Sequence, residues 1–407
     1  MSDPIYIKSS NHLSNPIIES QFMEDRSNDP ACGMASYWKP VVNKKPVNQF
    51  YYYHIYFDNK VVQSLDFFKS GTRKEKLYIP EEVYQDALNG HCKILLDYSL
   101  EGMDSNNFSK KNFTEFLGKY KQHCILLTGD YLCGTNEILD TCFTNYWERN
   151  SIDKIKHWTS IYDECDFFNE RLNTNRNRNF KGICKNRVMR DQRPVLCYLI
   201  RQYNLHNFIN YSMGMVTEHG PHDKLNFTFN HFIKLMHNIS ISWGFDIDSF
   251  THDIISNGEQ KLFFDKQDLN VNLATTGVTE SLLNDHLDSY FEIIVETNYR
   301  QNTIFHSEKT FKAIYWLQPF VSVAEQHSIK TLREMGYDVF DDYIDHSYDN
   351  IADYKERMFA VMSEIKRLCK LSEDEWKDIY KKIGSRLIKN QEKVLLGHNR
   401  YPDYFNR

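Results

Sequence analysis

The sequence predicts an α/β protein built on parallel sheets. Three observations point that way: short apolar runs rich in β-branched and aromatic residues, segments of helical period between them, and a length of 407 residues. At roughly 100 to 200 residues per domain, that length favours two cores over one.

The first 45 residues are polar, carry scattered Pro and Gly, and read as an irregular arm. The runs FYYYHIYF (Phe50 to Phe57), HCKILLDYS (His91 to Ser99) and HCILLTGD (His123 to Asp130) read as buried strands, and NFTEFLGKY between the last two has helical spacing. Strand, helix, strand in this order implies a parallel sheet with crossover helices. Residues 171 to 193 (RLNTNRNRNFKGICKNRVMRDQR) are polar and basic and read as a linker. Beyond them PVLCYLIRQYNL reads as a helix, FINYSMG as a strand and, after a middle region of short helices, YFEIIVET (Tyr290 to Thr297) as a buried strand. SEKTFKAIYWL then reads as a helix, PFVSVA as a strand, and IKTLREMG as a helix closed by Gly336. From Asp353 to about Asn390 follow amphipathic helices, the second opened by a capping box of Ser372 and Glu375. The expected division is an N-terminal domain over residues 1–175, a second domain over 176–370 and closing helices over 371–407.

The 49 Lys and Arg against 55 Asp and Glu give a net charge of −6, which repels a polyanion unless basic residues gather on one face. Nine cysteines without a C-x-x-C pair read as reduced thiols, not as a disulfide framework or a zinc site. No apolar run approaches the roughly 18 to 20 residues of a membrane span, and the start lacks a signal peptide's apolar core. The expectation is a cytoplasmic protein with no membrane partner. A composition rich in Asn, Lys, Tyr, Phe and Ile suits an AT-rich genome, viral or bacterial.

The segment Tyr290 to Phe340 is the most informative chemically. A buried strand runs into a polar loop and then a helix whose first turn holds Ser307, Glu308 and Lys309. A helix N-terminus offers unpaired N–H groups and a partial positive charge, so a diphosphate suits it. Lys309 adds a full charge, and a carboxylate at Glu308 can accept bonds from both ribose hydroxyls. The plainer alternative is a capped helix with a surface Glu–Lys pair.

This segment resembles the donor motif of the alpha-1,3-fucosyltransferases, where an E-N-S element precedes a T-E-K-L-W-[RK]-N helix start and a small strand containing Pro and Val. Glu296, in VETN, stands at the first element, with a loop to Glu308 that is two residues longer. Ser307-Glu308-Lys309-Thr310-Phe311-Lys312 fits the second element and Gln318-Pro319-Phe320-Val321 the third. SEKTFKAIYWLQPFVSV, with LREMGYDVFDDYIDHSYD after it, is similar to a group of glycosyltransferase-like proteins of large phages and other viruses, over about the second half of the chain. The resemblance implies a GT-B-like fold of two facing Rossmann-like domains with a C-terminal helix crossing back. It also implies a nucleoside-diphosphate sugar as donor substrate, no cofactor, and inverting transfer.

The basic segment carries a second match. The same fucosyltransferases place an S-N element seven residues before an Arg that contacts the donor phosphates, and here Asn186 precedes Arg193 by seven residues. The viral group shows an N-R-x-x-R-x-x-R run, matched by Asn186, Arg187, Arg190 and Arg193. Guanidinium forks fit phosphate geometry and neutralise charge on a departing diphosphate. From Arg171 to Arg201 nine Lys or Arg stand against one acidic residue, Asp191, a pattern that also suits nucleic acid. Arg171, Arg176 and Arg178 precede the motif and are expected to be free for a second polyanion.

Transfer needs a base to take the acceptor proton. Glu101 is the first candidate and Asp97 the second, both following the strand CKILL in DYSLEGM, where carboxyl ends of parallel strands meet a crevice. Asp130, after HCILLTG, is the reserve. An acidic loop after a strand explains the same residues equally well. The pair His219 and His222 lacks a nearby carboxylate at ligand spacing, and DDYIDHSYD (Asp341 to Asp349) lacks the Gly hinge and terminal Glu of a calcium loop. FDID near Asp246 follows SWG and not an apolar strand, so no metal site is expected. The resulting reading is an inverting glycosyltransferase whose acceptor is a hydroxylated pyrimidine, hydroxymethylcytosine, in double-stranded phage DNA, reached by base flipping. Its rivals are transfer to a glycan or protein, a non-catalytic nucleic-acid-binding protein on the same fold, and an epimerase acting on the nucleotide-sugar.

Overall fold

The computed structural model describes residues 5–8, 51–56, 79, 81–98, 110–131, 140–143, 164–188, 190–216, 229–256, 280–300 and 302–397. The chain divides into two compact units: Met1–Trp147 with Thr303–Phe305 and Arg400–Arg407, and Glu148–Asn302 with His306–Asn399. Each is mixed α/β around a parallel sheet.

In the first unit the strands β1 (Ile5–Lys8), β2 (Tyr51–Tyr56), β3 (Cys92–Tyr98), β4 (Cys124–Thr128) and β5 (Asp140–Phe143) lie in sequence order, all parallel. Strand β1 arises inside the arm that the sequence leaves irregular. The helices α1 (Glu81–Leu88) and α2 (Lys110–Leu117) bring Val83, Phe113, Phe116 and Leu117 onto Ile55, Ile94, Leu96 and Leu126 of the sheet. Burying these side chains removes their apolar surface from water, at roughly 25 cal/mol per Å².

The second unit contains α3 (Glu164–Leu172), β6 (Phe180–Val188), α4 (Gln192–Gln202), β7 (Ile209–Val216), α5 (Phe229–Trp243), α6 (Ile247–Ser256) and α7 (Glu280–Leu287). It continues with β8 (Ser289–Val295), α8 (Glu308–Tyr315), β9 (Phe320–Val323), α9 (Ser328–Glu334), α10 (Tyr354–Lys370) and α11 (Glu373–Gly397). Its sheet has the order β7-β6-β8-β9, all parallel. The chain starts at β6, steps to β7 on one side and then to β8 on the other. That reversal falls at the carboxyl ends of β6 and β8, the place where open α/β sheets bind ligands.

The basic segment read as a linker is the correction that matters most, because it contains β6, a strand with neighbours on both sides. Lys181, Lys185 and Arg187 interrupt the apolar pattern there, yet Gly182, Ile183, Cys184 and Asn186 are buried. Gly182 has a specific reason: a Cβ at this position would stand 2.8 Å from the ring of Phe291 on β8.

Local signals hold where they depend on near neighbours. Gly336 closes α9 at φ +83°, and Tyr337 N–H reaches back to Leu332 O at 2.9 Å. Ser372 Oγ donates to Glu375 Oε2 at 2.8 Å while Glu375 N–H returns to Ser372 Oγ at 3.2 Å. Asp246 of FDID caps α6 by accepting Ser249 N–H at 3.1 Å. The acidic turn is likewise engaged in holding the fold. Asp349 accepts Ile329 and Lys330 N–H at 2.9 Å each, Asp341 pairs with Arg333, and Asp342 pairs with Arg386.

Candidate nucleotide site

The site is built where β6 and β8 end. Strand β6 breaks register with β7 between Asn186 and Val188, a bulge of the kind that re-aims side chains beside functional sites. The chain then turns into α4, whose first turn holds Gln192 and Arg193, both buried. Arg193 Nη2 donates to Val295 O at 3.2 Å and Gln192 Nε2 to Glu296 O at 2.8 Å, so the head of α4 lies against the exit of β8. Burial and the neighbouring Arg190 charge lower the Arg193 guanidinium to about 10, against the opposing pull of Glu296 and Glu308. It stays charged at neutral pH, within electrostatic reach of two carboxylates.

Glu296 is fully buried, and its carboxylate accepts Ser307 N–H at 3.0 Å, Ser307 Oγ–H at 2.5 Å and Thr310 Oγ1–H at 2.6 Å. It therefore fixes the start of α8 from behind, with its oxygens occupied by the helix itself. Ser307 is the cap, in extended conformation (φ −87°, ψ −176°), with its oxygen accepting Lys309 N–H at 3.3 Å. Lys309 Nζ lies 3.1 Å from Ser307 Oγ and 3.0 Å from Glu308 Oε1. Burial favours the neutral Glu308 acid, but the Lys309 charge and hydrogen bond, the residue's own N–H and Lys312 outweigh it and hold the carboxyl below its usual range. The Lys309 and Glu308 side chains keep 25% and 31% of their surface exposed, so both can swing onto a ligand. Arg193, Ser307, Glu308 and Lys309 are thus gathered at one helix start.

Other expected residues fall elsewhere. Asn186 is buried in β6, with Nδ2 donating to Cys184 Sγ at 3.2 Å. Arg190 is half-buried beside Arg193, and the Arg187 side chain lies outside the described residues. Lys312, one turn along α8, does not belong to the nucleotide group. Its Nζ sits 2.8 Å from Glu292 Oε1 and 3.5 Å from His286 Nε2, neutralising a buried carboxylate in the middle of β8.

The arginines assigned to a polyanion are corrected by burial of Arg171 and Arg178 and by the ion pairs of Arg176. Arg171 is 0% exposed and donates to His286 O (2.7 Å), Ser289 O (2.6 Å), Tyr290 O (3.0 Å), Leu317 O (3.4 Å) and the Tyr380 hydroxyl. Arg178, also buried, donates to Leu287 O and to Arg171 O, the latter at 2.7 Å. Arg176 pairs with Glu170 and Asp288, each at 2.9 Å. These three clasp α3 to the rest of its unit.

Of the base candidates, Glu101 lies outside the described residues. Asp97 is in β3, in register with Leu127 and Tyr56, and its side chain also lies outside them. Asp130 is buried, with Oδ1 accepting Ile304 N–H at 3.1 Å. His219 and His222 fall outside the described residues, among which no group of His, Cys, Asp or Glu is placed to hold a metal. No helix among the described residues is long and apolar enough to cross a membrane.

Sequence reasoning passed over Gln192 and Thr310. Only the position of Gln192 beside Arg193 hinted at it, while Thr310 stood inside the matched helix start without a role. No known protein family matches the chain, and no curated protein does. Among solved structures it is similar to the N-terminal domain of Candida albicans trehalose-6-phosphate phosphatase, with 11% identity over 87% of this chain and 69% of that one, at a TM-score of 0.37. So low a score carries no argument about fold or activity.

Proposed function

We propose that the chain is an inverting glycosyltransferase of GT-B-like architecture that takes its sugar from a nucleoside diphosphate, with the second unit as its donor-binding half. One observation carries the reading: Arg193 and the Ser307-Glu308-Lys309 helix start converge beyond the carboxyl ends of β6 and β8, where the strand order reverses. In this reading the diphosphate lies between Arg193 and the first turn of α8, and Glu308 turns to the ribose hydroxyls. As the acceptor oxygen bonds to the anomeric carbon, the bond to the diphosphate breaks, and Arg193 and Lys309 take up the negative charge that leaves with it. Glu101, or alternatively Asp97, receives the acceptor proton.

The acceptor half stands on less. Burial of Arg171 and Arg178 withdraws two of the three arginines that favoured hydroxylated DNA. The test incubates the full-length chain with UDP- and GDP-linked sugars together with duplex DNA, with or without hydroxymethylcytosine, or with a soluble glycan. Acceptor-dependent release of nucleoside diphosphate is expected. Mass gain on the modified base alone supports the DNA acceptor, and gain on the glycan alone ends it. An altered nucleotide-sugar without any acceptor favours an epimerase, and inertness towards every donor overturns the transferase.

A further inference from the structure

Three consecutive residues at the head of α4 each hold the chain that leaves β8. Arg193 bonds to Val295 O, Gln192 to the carbonyls of Glu296 and Thr297 at 2.8 and 3.3 Å, and Asp191 accepts from the guanidinium of Arg300. The last contact departs from what its position requires. Asp191 occupies the N-cap of α4, where an aspartate ordinarily accepts N–H groups of its own helix, and it makes no such bond. Its backbone is already helical (φ −50°, ψ −42°), and its carboxylate is directed to Arg300 instead.

Arg300 is also held from its other side. Its guanidinium lies 5.1 Å from the ring centre of Tyr354 and 5.8 Å from that of Trp243, two rings that meet edge to face at 4.8 Å. The preceding residue is anchored as well: Tyr299 donates its hydroxyl to Tyr354 O at 2.8 Å, and its own carbonyl accepts Arg357 Nη2 at 2.7 Å. Arg300 is thus seated by aromatic faces, and Asp191 is the group that comes to it.

We infer that the Asp191–Arg300 pair is a positioning latch for nucleotide binding. It draws the first turn of α4 onto the exit loop of β8 and thereby sets the Arg193 guanidinium against the start of α8. Neither member touches the nucleotide; both act through Arg193. The inference rests on the donor-site reading above. Because the side chains are 35% and 40% exposed, the pair is partly screened, and its loss moves affinity by a modest factor.

The test titrates the full-length chain with GDP and with UDP, comparing wild type, Arg300→Ala, Asp191→Asn and the charge exchange Asp191→Arg with Arg300→Asp. Each single change is expected to weaken the better-bound diphosphate about fivefold, and the exchange to recover most of that loss. In a transfer assay the single changes raise KM for the donor and lower kcat as well, because the displaced Arg193 also serves the leaving diphosphate. The ligand-free melting temperature stays near that of wild type, so that the loss of affinity is not a loss of fold, whereas a merely structural pair would leave the affinity for diphosphate unchanged. Single variants that bind as tightly as wild type, or an exchange no better than the singles, overturn the latch while the donor site stands. A wild-type chain that binds neither diphosphate overturns the donor site and the latch together.

Discussion

Arg171 and Arg193 lie in one basic stretch of sequence, and the fold gives them opposite tasks. Arg171 is enclosed by four backbone carbonyls and a tyrosine hydroxyl, so every direction its guanidinium can donate in is already used by the protein. Arg193 makes a carbonyl bond too, but its charge is also felt by the carboxylates of Glu296 and Glu308 at a helix start. The same contrast runs along α8, where Lys312 is committed to the buried Glu292 and Lys309 rests on the partly exposed Glu308. A cation serves the fold when its donors all go to buried, fixed groups, and can serve a ligand when it stands at a helix start beside a carboxylate, such as Glu308, that is able to turn away.

The largest expected effect falls on the first kind. Arg171→Ala removes the guanidinium donor from the carbonyls of His286 and Ser289 in the buried interior, and is expected to cost about 5 kcal/mol or more. Circular dichroism of the variant then shows loss of helix at temperatures where wild type is folded. Lys312→Met strands the Glu292 carboxylate and should cost about 3–5 kcal/mol, with most of it recovered when Glu292→Gln is added. If the single Lys312 variant keeps its melting temperature but loses nucleotide, the division between the two lysines of α8 is misplaced.

A smaller loss, about 1–3 kcal/mol by urea unfolding, is expected for Gly182→Ala, which pushes a methyl into the Phe291 ring. A neutral result there contradicts the close approach of β6 and β8. The smallest effect is ionic. Raising salt should weaken diphosphate binding several-fold through the partly exposed Lys309, while the melting temperature set by the Arg171 clasp hardly moves.

These contrasts also explain what the sequence could show. Strands β2, β3, β4, β7, β8 and β9 announce themselves as apolar runs, and the Ser372–Glu375 box and Gly336 are contacts between near neighbours in the chain. Strand β6 does not, because Lys181, Lys185 and Arg187 break its pattern while Gly182 supplies no side chain. The fate of Arg171 is invisible for another reason: its acceptors at His286, Ser289, Tyr290 and Leu317 are more than a hundred residues away. Ser307, Glu308 and Lys309 were legible as a helix start, but the bracing of that start by Glu296 and Thr310 required the fold.

The central claim is that Lys309 and Arg193 are ligand-facing cations on a fold held by other cations. Its most direct measurement is a calorimetric titration of the full-length chain and its Lys309→Ala variant with GDP and UDP, alongside their ligand-free melting temperatures. The account predicts that wild type binds one of the diphosphates and that Lys309→Ala weakens it at least about tenfold with an unchanged melting temperature. Equal binding by the variant, or a melting temperature that falls with it, would contradict the account.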